Sequence, residues 1–196
     1  MAEDVKGPAP PTPPDPPPPA DVRPPAFIPA IERALAGAIE QVSYFVGDWT
    51  LIAGRDRLLD VMRWLRDDRA ARFDFCSDVT ATDWPSRAQR FDVIYVLYSV
   101  HYRHRLRVKV RAGEADPVPS VAGIWPAANW LEREVWDMFG VAFDGHPDLR
   151  RILMPDEWQG HPQRKDYPLE GPGELLMEDP VEWLRLRSEQ QTADIE

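Results

Sequence analysis

One cysteine, Cys76, in 196 residues excludes an internal disulfide and any protein-only thiolate site for a metal cluster. No uncharged apolar run approaches the ~18–20 residues that a membrane-spanning helix needs. Positive charge is short as well. Lys and Arg number 23 against 33 Asp and Glu, and the net charge of −10 argues against general affinity for nucleic acids or anionic membranes. The catalytic signatures are missing too: there is no Gly-rich phosphate loop, no GxSxG, no HExxH and no CxxC. His101, His104, His146 and His161 show no recognised ligand spacing, and each reads as a structural or solvated histidine. Met1–Pro29 has neither the basic start and apolar run of a secretory signal nor the Arg-rich, acid-poor character of a transit peptide. The expected compartment is the bacterial cytoplasm.

What is abundant is proline, tryptophan and enough apolar residues for one core. Hydrophobic residues make up 43% of the chain, which suits one domain plus an extended arm. Residues 1–25 read as a disordered, Pro-rich extension whose removal is expected to leave the melting temperature nearly unchanged. Residues 26–140 read as an α+β domain with helices packed on a mixed or antiparallel sheet. Ile31, Leu35 and Ile39 recur every four residues after Pro29, and Leu58, Val61, Met62 and Leu65 have the spacing of a helix over 56–66. A short strand is expected within 43–53 and another over 73–80. Residues 91–100 are apolar on both faces, as in a central strand covered on two sides. Residues 103–111 alternate, with Arg105, Arg107, Lys109 and Arg111 on one face; that row reads as the solvated side protecting a sheet edge, with a patch for an acidic partner as the alternative. Residues 141–196 read as an extended, mostly irregular arm, with a short helix from Pro180 to about Gln190 that begins at the Asp179 cap.

The chain is organised around residues 130–168. Wound at 100° per residue, the helix beginning near Pro126 places Leu131, Val135, Trp136, Met138 and Phe139 on one broad apolar face, with Glu132 inside it. Arg133, Glu134 and Asp137 lie on the other side together with Trp130. A carboxylate in an apolar stripe and an indole in a polar one imply packing against two sides of the helix. Glu132 is expected to be buried and matched to a cationic or backbone donor, Arg150 or Arg151 being the favoured cations within the chain. Gly140 stops the helix. The arm beyond it carries Leu149, Ile152, Leu153, Trp158 and Tyr167 without any helical or strand period, so docking on partners is expected to order it more than its own domain does.

Three blocks within this stretch carry a family resemblance: Glu132-Arg133-Glu134-Val135-Trp136-Asp137-Met138-Phe139-Gly140, then His146-Pro147-Asp148-Leu149-Arg150-Arg151-Ile152-Leu153, then Gly160-His161-Pro162-Gln163-Arg164-Lys165-Asp166-Tyr167-Pro168. In order and spacing they resemble the 30 kDa (C) subunit family of proton-translocating NADH:quinone oxidoreductase, respiratory complex I. The resemblance implies a structural subunit of the peripheral arm with no catalytic, cofactor-binding or metal-binding residue of its own. FMN, iron–sulfur clusters, NADH and quinone would belong to the whole complex. The implied partners are chiefly the 49 kDa-type (D) subunit at the quinone site, with the B and I subunits nearby. The implied location is the cytoplasmic side of the bacterial inner membrane. Glu132, Arg133, Glu134, Asp137, Gly140, His146, Pro147, Leu149, Arg150, Arg151, Gly160, Arg164, Lys165 and Asp166 fall on the family's signature and interface positions. Relatives of this helix also serve ferredoxin-fed plastoquinone oxidoreductases and membrane-bound hydrogenases, so the electron donor stays open at this level. The purified chain is expected to be colourless, since it lacks the thiolates for a cluster. Absorption spectra between ~300 and ~500 nm check this, and stoichiometric iron or flavin would overturn it.

Overall fold

A computed structural model describes residues 15–169. The chain runs α1 (Phe27–Ala34), β1 (Ile39–Phe45), β2 (Asp48–Ala53), a 3-10 turn (Arg55–Arg57) leading into α2 (Leu58–Asp67), β3 (Phe75–Asp83), β4 (Phe91–Ser99), β5 (His104–Ala112), β6 (Val118–Pro119), α3 (Ala128–Phe139) and β7 (Phe143–Asp144). Five strands form one sheet in the order β1-β2-β5-β4-β3, and β6 pairs with β7 in a separate two-stranded piece. Only β2 and β5 are parallel within the larger sheet; the other three pairings are antiparallel. The α+β class and the mixed sheet expected from the sequence are thus both present.

Alternation sets the sheet's inner face. Register aligns Val93 with Val110, Tyr95 with Val108 and Leu97 with Leu106, and all six side chains are buried. Phe27, Ile28 and Ile31 of α1 and Leu58, Val61, Met62 and Leu65 of α2 join them in one core. Ala128, Val135, Met138 and Phe139 of α3 complete it. Burying such aliphatic and aromatic side chains stabilises the fold by roughly 1.5–3 kcal/mol each before chain entropy is counted.

Four expectations change. The single strand expected within 43–53 is the hairpin β1–β2, turning at Val46 (φ 49°) and Gly47 (φ 93°). Two consecutive left-handed residues are the mark of a tight hairpin turn, but the first position usually carries Asn, Asp or Gly, so a β-branched residue hid the signal. The cation-bearing strand β5 is not an edge: it lies between β2 and β4. Alternation reports how many faces are buried, not where a strand sits in its sheet. β4, expected to be covered on two sides, is buried throughout on the inner face, whereas on the outer one Asp92 is buried and Ile94, Val96 and Tyr98 are half-buried.

The fourth change concerns the Pro-rich extension. Residues 15–16 lie on the sheet: the Tyr44 amide and the Ser43 hydroxyl both donate to the Pro16 carbonyl, and the Gln41 side chain donates to that of Asp15. The Asp15 carboxylate is buried between Lys109 (2.5 Å) and Arg111 (3.2 Å). A row of cations inviting one carboxylate outweighs the cost of ordering a short stretch of proline-stiffened chain. Residues 1–14 and the helix expected over 180–190 lie outside the described residues. Asp15→Ala is therefore expected to lower stability by about 2–3 kcal/mol, because Lys109 keeps only Asp92 at 3.4 Å. Asp21→Ala, at an exposed position, should change it by less than ~0.5 kcal/mol. Thermal unfolding of both variants checks the contrast, and equal effects would show that the strap carries no weight.

Candidate functional site: a helix clamped by its own arm

Helix α3 begins after Ala127 and ends where Gly140, at φ 76°, returns its amide to the Trp136 carbonyl (2.8 Å). A Cβ on Gly140 would meet the His161 ring at 2.5 Å, so glycine here serves both the left-handed stop and the close approach of the arm. Gly160 (φ 84°) has the same double constraint, since a Cβ there would stand 2.9 Å from the Tyr167 ring.

The side of the helix that sequence pattern marked as polar is covered at Arg133 and Asp137 and exposed at Trp130 and Glu134. Asp137 is fully buried, and its Oδ2 accepts three successive amides of the arm, from Ile152 (3.0 Å), Leu153 (2.8 Å) and Met154 (2.9 Å). Its Oδ1 accepts Arg151 at 2.5 Å. Arg151 then donates to the carbonyls of Trp158 and Gly160, pulling the next turn of the arm inward. Arg133 donates to the carbonyls of Arg150 and Arg151 while its guanidinium lies 4.9 Å from the Trp130 ring. At the helix end, the Asp137, Met138 and Phe139 carbonyls are met by His161 Nδ1, the Gln163 amide and Arg164 Nε respectively. Carbonyls that a helix terminus leaves without partners are thereby supplied by the arm. The arm, expected to lean on partners, makes these anchoring bonds to its own domain.

The far end of the arm is tied to the β3–β4 turn. Arg90 forks onto Asp83 (2.7 and 2.8 Å) and again onto Asp166 (2.7 and 3.0 Å). The Lys165 amide donates to Asp83, and Arg164 reaches Glu114 at 2.8 Å. Sequence reading missed Asp83, Arg90 and Glu114. The signal available was the placing of Asp83 and Arg90 about one β-turn, in a hairpin whose register pairs Asp83 with Phe91.

Glu132 is fully buried but does not meet Arg150 or Arg151. Arg151 belongs to Asp137, and Arg150 is exposed beside Asp148 (2.9 Å). The donors to Glu132 are the Ser120 hydroxyl (2.5 Å) and the Val121 amide (2.7 Å), which bind the loop after β6 to α3. A backbone donor was expected and is there; the cation is not. His146 Nε2 stands 3.9 Å away, but its Nδ1 accepts the Asp148 amide, so the proton sits on Nε2 and is donated to the Asn129 carbonyl. Of the remaining signature positions, Leu149 packs against the core, while Glu134 and Pro147 are exposed.

The two buried carboxylates of α3, Glu132 and Asp137, consequently behave in opposite ways. Burial pushes Glu132 up to about 7, and its two hydrogen bonds offset only part of that. Burial acts on Asp137 in the same direction, but the amides of Met154, Ile152 and Leu153 and the Arg151 guanidinium outweigh it and hold the carboxyl below its usual range. Burial, then the nearby Glu132, also pushes the Cys76 thiol up to about 12, leaving it unsuited to act as a nucleophile. Among the described residues no group of three or more His, Cys, Asp or Glu is arranged to hold a metal. None of their helices is long and apolar enough to cross a membrane.

An α+β domain whose terminal helix is clamped by a following irregular arm is the class that this geometry defines. Comparison with known proteins is specific. The family model described as "Respiratory-chain NADH dehydrogenase, 30 Kd subunit" matches residues 51–173, a span that contains both α3 and the clamp. The chain belongs to that family. It is 46% identical over 149 residues to the C subunit of the NADH-quinone oxidoreductase of Hyphomonas neptunium, covering 76% of this chain and 74% of that one. With the corresponding C subunit of Saccharopolyspora erythraea it shares 46% over 167 residues, 84% of this chain and 67% of the relative. A solved structure of the archaeal membrane-bound sulfane sulfur reductase, a respiratory membrane complex, contains a chain that superposes with a TM-score of 0.62 at 26% identity, covering 73% of this chain and 84% of that one.

The linkage signs follow from the two carboxylates. Glu132 is raised when folded, so its stabilising contribution is complete below about pH 4.5 and is lost as pH rises through about 7. Asp137 is depressed, so its contribution is present above the ordinary carboxylate range and is lost as pH falls. Glu132→Gln keeps the acceptor for Val121 and cannot ionise. Between pH 5 and pH 8 the wild type should lose on the order of 2–3 kcal/mol relative to this variant in denaturant titrations. Asp137→Asn should instead cost about 2–4 kcal/mol at pH 7, since an amide turned toward Arg151 or the three arm amides opposes a donor with a donor. Parallel pH profiles for wild type and Glu132→Gln would contradict the assignment.

Proposed function

We propose that this chain is a structural subunit of a proton-translocating NADH:quinone oxidoreductase, holding the electron-transfer core together without cofactor or catalytic residues of its own. The observation that carries the reading is the family match across residues 51–173, joined to relatives of 46% identity that are named as the C subunit of that enzyme. FMN, iron–sulfur clusters, NADH and quinone are then held by other subunits of the complex. The principal partner is the 49 kDa-type (D) subunit, with the B and I subunits nearby, and the site lies on the cytoplasmic side of the bacterial inner membrane.

The clamp supports a scaffolding role in physical terms. Its internal bonds satisfy the buried polar groups of α3, yet the surface it makes carries Trp130 at 61% and Leu153 at 59% exposure, with the exposed Arg150 side chain three residues before Leu153. Trp and Arg dominate the energetic centres of protein interfaces, and a Trp held against Arg133 is already positioned before a partner arrives. The glycine, histidine and arginine positions of the signature thus build a rigid surface, and the exposed aromatic and aliphatic groups on it supply the docking area. The 49 kDa-type subunit is assigned to this surface. A second reading, in which the same scaffold serves a complex with another electron donor, is compatible with the likeness to a chain of the archaeal sulfane sulfur reductase complex but is not favoured by it over the first.

Trp130→Ala is expected to change monomer stability by about 1 kcal/mol or less, since the ring is largely exposed. It should weaken incorporation into the complex by roughly 30-fold or more, the cost of a central interface residue. Native electrophoresis of membranes carrying a tagged chain, with mass spectrometry of the co-migrating subunits, checks both the partners and the donor module. A chain that co-migrates with no other subunit would overturn the proposed function.

A further inference from the structure

The outer face of the sheet, opposite the core and distinct from the α3 clamp, is only half covered. Along β5 the outward cations come at every second residue: Arg105, Arg107, Lys109 and Arg111. Asp15 of the N-terminal strap closes one end, buried on Lys109 and Arg111 with Asp92 beneath. Arg107 is matched by Asp48 at 2.6 Å. Arg105 has no carboxylate partner among the described residues and is exposed. Beside it lies an open groove of about 380 Å³ whose lining includes Phe75, Ser77, Val96 and Tyr98 together with Arg105, Arg107 and the Asp48 carboxylate that Arg107 already engages. Phe75 is 51% exposed, and Val96 and Tyr98 are half-buried.

We infer that this groove receives an extended acidic segment of a neighbouring subunit, which places a carboxylate on Arg105 and an apolar side chain on Val96, Tyr98 and Phe75. The chain's own strap shows the chemistry on the same face. Asp15 neutralises the cation row from above, while the strap's Pro16 carbonyl takes the Tyr44 amide at the sheet margin. Arg105 lies four residues from Lys109, about 13 Å along the strand, so one strap cannot serve both ends of the row with a single carboxylate. Charge complementarity selects an acidic occupant, and the apolar floor beside it asks for aliphatic or aromatic contact rather than a free ion. The inference rests on the proposed function only for the source of that partner.

The test replaces Phe75 with p-benzoylphenylalanine in the full chain, isolates the complex from membranes, irradiates it and identifies the cross-linked peptides. A cross-link to an acidic, apolar-flanked peptide of another subunit is the expected result. Cross-linking to residues 170–196 of this chain, to a second copy, or to nothing while the chain remains in the complex would overturn the inference and leave the scaffold reading intact. Failure to recover the chain with any other subunit would overturn both. Arg105→Glu should lower the cross-link yield by about 10-fold or more, and Arg105→Lys should retain it within about 3-fold. Equal yields from the two would refute the carboxylate contact.

Discussion

The carboxylate of Asp137 is the point on which the second half of the structure hangs. It sits on the side of α3 away from the sheet, in a position that would be costly for a charge if nothing met it. Three consecutive amides from residues 152–154 and the Arg151 guanidinium meet it instead, so the charge is kept and the arm acquires a fixed start. From there each contact depends on the previous one. Arg151, held by Asp137, gathers the carbonyls of Trp158 and Gly160. That turn brings His161 and Arg164 over the last carbonyls of the helix. Asp166 then reaches the Arg90–Asp83 pair at the end of the sheet. An irregular segment with no ladder of its own is thereby ordered by side chains acting on backbone.

Two carboxylates five residues apart on one helix show how donors decide charge. Asp137 receives four hydrogen bonds, one from a cation, and stays ionised. Glu132 receives two, from a hydroxyl and one amide, and is pushed toward neutrality. Each does structural work suited to its state: the charged one binds an arm of amides and an arginine, and the other joins the loop after β6 to the helix at low electrostatic cost. The division also explains why the signature is dense in charged residues without a converging catalytic pair. Arg133, Asp137, Arg151 and Arg164 are matched inside the clamp, while Glu134, Arg150 and Lys165 remain exposed on its surface.

The same matching of charge governs the opposite side of the sheet. Buried Lys109 requires Asp15 and Asp92, and that requirement recruits the strap preceding α1 to the fold. Composition alone marks such a Pro-rich segment as poor in core-forming side chains, and among its described residues Val22 packs against the core. Its contribution to the outer face of the sheet is one carboxylate and two backbone carbonyls, quantities that hydropathy does not register.

Periodicity was sufficient for most elements: α2, β3, β4, β5 and α3 lie close to where spacing of apolar residues put them, because burial on one face imposes period 3.6 or 2 wherever the chain is regular, whereas α1 ends at Ala34 and Ile39, read as part of that helix, opens β1. The family was legible for a different reason, since three blocks in order along the chain carry the side chains that build the clamp. Strand order, by contrast, is a property of pairing between segments far apart, and so the cationic strand β5 turned out to be central rather than an edge. Partner choice within the clamp was equally hidden. Arg150 and Arg151 are adjacent in sequence, yet only the turn of the arm around Asp137 directs one inward and leaves the other in water. That Glu132 ends on Ser120 and Val121, and Asp166 on Arg90, follows from three-dimensional closure, which brings together groups that no local spacing relates.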